Sequence, residues 1–138
     1  MGRPVTLFTG QWADLEFEEI CEMAGNMGYD GLEIASWGDH LDLQKAAEDP
    51  DYAENRKRIL SENNLDVWAI GTHIIGQCVG ARYDSRLDNF APDELSGKPE
   101  KIQEWAVKEM KYAPKAATNM GCDVITGFTG SPVWKFFY

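Results

Sequence analysis

NMGYDGLEI, residues 26–34, and NMGCDVITG, residues 119–127, carry one phrase twice in a chain of 138 residues. ENNLDVWAI, residues 62–70, repeats it more loosely. Aligned on Asp30, Asp66 and Asp123, each phrase has Gly28, Asn64 or Gly121 two positions before its aspartate. Gly and Asn enter left-handed backbone at least cost, and helices commonly end on one of them. Behind each aspartate comes a short apolar run, GLEIA, VWAIG or VITGF. Runs of that length between turn signals predict buried parallel strands. Each phrase therefore marks a helix end, a tight loop and a strand entry. The aspartates stand at strand starts, which suits loop hydrogen bonding rather than chemistry.

The segments between the phrases read as helices. Phe17, Ile20, Ala24 and Met27 give the first an apolar face, with Asp14 as its cap and Glu16, Glu18 and Glu19 in the first turn, where the helix dipole favours negative charge. Asp49-Pro50 predicts the start of a second, a cap followed by proline at the first helical position, with Tyr52, Ile59 and Leu60 inward. A short helical piece over 43–47 precedes it. A third opens near Pro99 and lays Ile102, Ala106, Met110, Ala113, Ala117 and Met120 along one stripe, with a kink expected at Pro114. Residues 74–98, rich in Gly, Asp, Arg and Pro, are expected as a long irregular loop over a site.

With a leading strand over 5–9, strands and helices alternate strictly, which implies a parallel sheet with right-handed crossovers. Two architectures satisfy this order: an open doubly wound sheet, and the first half of a barrel. A complete eight-unit barrel takes roughly 250 residues. The fourth strand is followed by SPVWKFFY and no helix. The expected fold is therefore α/β, parallel βα repeats forming the first half, about four βα units, of a TIM (β/α)8 barrel. Residues 1–138 are read as a single partial domain with two open sheet edges and a bare inner face.

Composition narrows the function. Net charge is −10, with 23 acidic against 13 basic residues. That balance disfavours nucleic acid, which needs a basic face. No apolar run approaches the roughly 18 residues that cross a bilayer, so no membrane partner is expected. Three cysteines, Cys21, Cys78 and Cys122, show no CxxC spacing, which speaks against a disulfide framework and a thiolate zinc site. A reduced, cytoplasmic setting follows, with Cys78 and Cys122 as small buried hydrophobes.

In parallel α/β folds chemistry gathers at the C-terminal ends of strands. Here those ends read Gly10-Gln11-Trp12, Ser36-Trp37-Gly38-Asp39-His40, Thr72-His73 with Gln77, and Thr129-Gly130-Ser131. Both histidines fall on this face, and so do Trp12, Trp37 and Trp134. Flat apolar rings beside carboxylates, amides and imidazoles suit a sugar: rings pack on C–H faces while polar groups bond hydroxyls.

GQWADL, GYDGLEIASWGDH, DVWAIGTHIIGQ and DVITGFTGSPVW together resemble the βα junctions of the sugar phosphate isomerase/epimerase family, the xylose-isomerase-like group of TIM barrels. The resemblance implies a metal-dependent interconversion of ketose and aldose, or of epimers, by moving a proton next to a carbonyl. It implies a divalent metal (Mn, Mg, Co or Zn) in the full-length enzyme, held mostly by later strands, with two glutamates as the acid/base pair. Those catalytic residues and the metal ligands are expected beyond residue 138. The same superfamily includes abasic-site endonucleases, a branch the acidic balance argues against. The substrate would be a sugar or sugar phosphate, and a homo-oligomer is possible.

Within this chain five residues are expected to wall the substrate: Trp12, Glu33, Trp37, His40 and His73. Glu33 is the one charge in an apolar strand. If Leu32 and Ile34 face the helices, Glu33 faces the barrel interior, where it meets substrate, orients His73, or pairs with a buried base. His73 shares the strand parity of Val67, Ala69 and Gly71, and either bonds a hydroxyl or is satisfied by a neighbouring strand. Asp39 and His40 sit in a polar loop. Trp12 and Trp37 wall a pocket or pack under loops. Phe128 reads as core. The alternative function is a non-catalytic binding module, flavodoxin-like or half-barrel.

Overall fold

The computed structural model describes residues 2–133. The elements in chain order are β1 (Thr6–Phe8), α1 (Phe17–Met27), β2 (Gly31–Ala35), α2 (Leu43–Glu48), α3 (Pro50–Glu62), β3 (Asp66–Gly71), α4 (His73–Gly80), α5 (Pro99–Met120) and β4 (Ile125–Thr126). Short 3-10 turns follow β1 over 9–12 and α4 over 85–90 and 93–95.

The three repeated phrases adopt one geometry. Gly28, Asn64 and Gly121 all have positive φ, at 83°, 56° and 75°. At each, the next residue's amide reaches back five positions: Tyr29 to Ala24 O, Leu65 to Leu60 O, and Cys122 to Ala117 O. This left-handed cap satisfies carbonyls that a helix end would otherwise leave bare. It also turns the chain directly into the next strand. Asp30 secures its junction by accepting the Val5 amide at 2.7 Å. Among the described residues, it is the one aspartate of the three to make such a bond.

The sheet is parallel throughout, in the order β1-β2-β3-β4. A doubly wound sheet reverses its strand order at a switch point. This sheet does not, and successive parallel neighbours are the start of a barrel. Residues 67–69 bulge, so that Leu32 faces Val67 while Glu33 faces Ala69. Leu32, Ile34 and Ile70 are fully buried against Phe17, Ile20, Ala24, Ile59, Leu60, Ala106 and Met120. The opposite sheet face therefore carries Glu33.

Asp49 caps α3 through the Asp51 and Tyr52 amides, with Pro50 at the first position, and α2 covers Leu43–Glu48. Ile102, Ala106, Ala113, Ala117 and Met120 are buried along α5, with Met110 half-buried. Four expectations change. α1 begins at Phe17 rather than Asp14, because the Phe17 amide is taken by Asp39 from the loop after β2, at 3.0 Å. Met27 is exposed. Pro114 lies on the exposed side of α5, off the apolar stripe in which the sequence placed it. Residues 74–98 are not a featureless loop, since α4 occupies their first quarter.

The fourth unit depends on close backbone approach. A Cβ at Gly76 would strike the Phe128 carbonyl, and one at Gly80 would strike the Thr129 carbonyl. The segment after β4 thus lies directly on α4, seated by two glycines one helical turn apart.

Candidate functional site

Glu33 and Thr126 occupy the same, eighth position of the two copies of the repeated phrase. The sheet brings them together: the Thr126 hydroxyl donates to Glu33 Oε1 at 2.6 Å. The His73 imidazole stands next to them, with Nε2 3.8 Å from the same oxygen, an ion-pair distance too long for a hydrogen bond. His73 Nδ1 is buried without a hydrogen-bond partner. Gly71 makes the convergence possible. A Cβ there would lie 2.8 Å from the Phe8 ring and 3.2 Å from both Glu33 Oε1 and His73 Nδ1.

Aromatic rings enclose the group. The His73 ring lies 4.9 Å from Phe8, 5.1 Å from Phe128 and 6.4 Å from Trp37, centroid to centroid. Phe8 and Trp37 meet edge to face at 5.8 Å. Gly10 has no side chain because Phe8 and Trp37 fill that space. The result is one carboxylate and one imidazole, each about three-quarters covered, inside a ring of aromatic edges at the strand C-termini.

Of the expected residues, Glu33, Trp37 and His73 gather here. Trp12 packs against the hydrophobic core, and no ring contact joins it to the group among the described residues. His40 is corrected most sharply. It is not a loop-surface residue but fully buried, with Nδ1 2.9 Å from the Thr9 hydroxyl and its ring beside Phe17. Thr9 also accepts the Ala35 amide at 2.9 Å, leaving its own hydrogen for Nδ1, which suits a neutral ring. Burial pushes the imidazole pKa below its ordinary value. His40 thus ties the end of β2 to the turn after β1.

The Trp37–His40 loop is held from outside the site. Arg56 Nη2 donates to the Asp39 carbonyl at 2.6 Å and to its carboxylate at 3.0 Å. Its guanidinium lies over the rings of Phe17 and Tyr52, at 4.9 and 5.0 Å. Burial works to raise the Asp39 carboxyl, but the Phe17 amide and Arg56 outweigh it and hold the pKa below the usual range.

Phe8, Thr126 and Phe128 were not legible as site residues. Phe128 read as core, yet it is 54% exposed. The one available signal was the parity shared by Glu33 and Thr126 in their phrases. Trp134 lies outside the described residues. The cysteines are free and buried, and burial raises Cys21 to about 12 and Cys78 to about 11. Neither supplies a thiolate near neutral pH.

A family model described as the xylose isomerase-like TIM barrel matches residues 21–137. The chain belongs to that family. A comparison with curated proteins found no match. The xylose isomerase-like assignment agrees with the sequential parallel sheet and with polar residues concentrated at strand C-termini. It also puts a metal in question for these residues. Among the described residues no three His, Cys, Asp or Glu side chains lie close enough to hold one. Glu33 and His73 offer two donors, and Thr126 already engages the nearer carboxylate oxygen. That set does not fit a metal centre by itself, so no chemistry is assigned through one here. No helix among the described residues is long and apolar enough to cross a membrane.

Proposed function

We propose that this face holds a sugar or sugar phosphate, and that the chain supplies the substrate wall of an isomerase or epimerase that moves a proton next to a carbonyl. One observation carries the reading: Glu33, Thr126 and His73 converge inside an aromatic ring at the strand C-termini. A carboxylate accepts hydrogen bonds from hydroxyls, and charge-assisted bonds are the strong ones. His73 Nε2, beside the same carboxylate on a partly exposed ring, offers a second contact, as donor or acceptor according to its tautomer. Phe8, Trp37 and Phe128 provide flat apolar faces for C–H groups. Glu33 would position a hydroxyl while His73 lies near enough to share the same group. Proton abstraction itself is assigned to residues outside this set.

The test is solvent exchange. An enzyme that takes a proton next to a carbonyl incorporates deuterium from D2O into the recovered sugar. With added Mn or Mg and a chain that carries the expected later strands, a panel of aldoses, ketoses and their phosphates should include one that gains deuterium at the carbon next to the carbonyl, whereas residues 1–138 alone should give no exchange. Glu33→Gln should slow that gain at least tenfold. A full panel without exchange leaves a binding module as the better reading.

A further inference from the structure

A second cleft, of about 420 Å³, opens between the loop after β2, the start of α4 and the middle of α5. Trp37 is a wall that it shares with the group around Glu33. Trp105 forms another wall, and Asp42 and Glu109 supply its charge. No Lys or Arg is among the described residues that line it. Ser36 also lines the cleft, is 6% exposed, and its hydroxyl has no hydrogen-bond partner. A buried hydroxyl left unbonded is unfavourable, and a ligand atom that reached this one would supply the missing bond.

The two carboxylates are unevenly occupied. Asp42 caps α2 by accepting the Lys45 amide at 2.8 Å, and its Lys45 ammonium contact is loose, at 3.7 Å. Glu109 is half-buried, and burial followed by the Asp42 charge raises its carboxyl pKa, with Lys108 pulling the other way. A cation in the cleft would relieve that repulsion. Indole faces attract cations more strongly than other aromatic rings do.

We propose that this cleft binds a small organic ammonium ion, its charge beside Asp42 and Glu109, its carbon skeleton against Trp37 and Trp105, and a hydroxyl on Ser36. This does not rest on the sugar reading, since neither Glu33 nor His73 takes part.

The probe is trans-4-aminocyclohexanol, with cyclohexane-1,4-diol as its neutral counterpart, at fixed ionic strength. The readout is the Trp105 indole N–H signal in proton–nitrogen NMR, assigned with Trp105→Phe. The amine should shift that signal saturably, at a half-saturating concentration at least fivefold below that of the diol. Glu109→Gln should abolish the preference, and Ser36→Ala should weaken amine binding at least threefold, both with the remaining spectrum unchanged. Equal response to amine and diol, no saturable shift at Trp105, or an unaltered titration in Glu109→Gln would overturn the proposal. His73 signals should stay still throughout, so failure here is distinct from failure of the sugar reading.

Discussion

Arg56 holds the loop that carries Trp37, and its loss should be felt at both ends. Arg56→Ala leaves Asp39 without its cation and uncovers Phe17 and Tyr52. Breaking a fully buried pair costs about 3–5 kcal/mol. Asp39's side chain is 41% exposed, so water recovers part of that. The expected loss is about 1–3 kcal/mol, measured by urea unfolding. Asp39 also sets an acid limb. Its folded pKa is below 3.8, so its contribution is full above that value and is lost as pH falls through the folded pKa. Arg56→Ala should lose less stability over that range than the parent. His40 sets a limb at higher pH. Its folded pKa lies below 6.5, so the unfolded chain takes up the proton first and stability declines as pH drops below about 6.5. His40→Gln should be less stable at neutral pH but show a flatter profile there by thermal melting. Glu33 and His73 were legible as candidates because a charge inside one apolar strand and a histidine just past the end of the next break the local pattern. Arg56 was not, since its partner lies across the fold and nothing near it in sequence announces the contact.

Among the elements, α4 shows why local reading failed. HIIGQCVG contains two glycines four apart, which weaken a helix by about 1 kcal/mol each relative to alanine. The sequence therefore read as loop. The glycines are present because the backbone after β4 lies where their side chains would be. Gly76→Ala improves helix propensity but drives a methyl into the Phe128 carbonyl, and a backbone atom cannot swing aside as a flexible side chain would. Overpacking costs about 1–3 kcal/mol, and more when backbone must move, so the clash should win. Gly76→Ala should lower the melting temperature and weaken the His73–Phe128 contact seen by nuclear Overhauser effect. The start of α1 failed for a related reason: its first amide is satisfied by Asp39 from another unit. The helix ends succeeded because Gly28, Asn64 and Gly121 close them with bonds inside a few residues.

At the scale of the whole molecule, the sheet order turns four repeated units into one arc, and the arc gathers the ends of all four strands. Ile125 and Phe128 are exposed at the β4 side and Val5 at the β1 side. Exposed edges and apolar faces promote association, while a net charge of −10 opposes it. Light scattering after size exclusion should show self-association that rises with salt, and Phe128→Lys should reduce it. The central claim is that the inner face around Glu33 binds sugar. Its most direct test is an NMR titration of the protein with the sugar or sugar phosphate that exchanges deuterium, following the His73 imidazole and the Trp37 indole. The account expects both to shift saturably, with affinity reduced at least tenfold in Glu33→Gln. Saturable binding that leaves His73 and Trp37 unmoved, or that Glu33→Gln does not weaken, would contradict it.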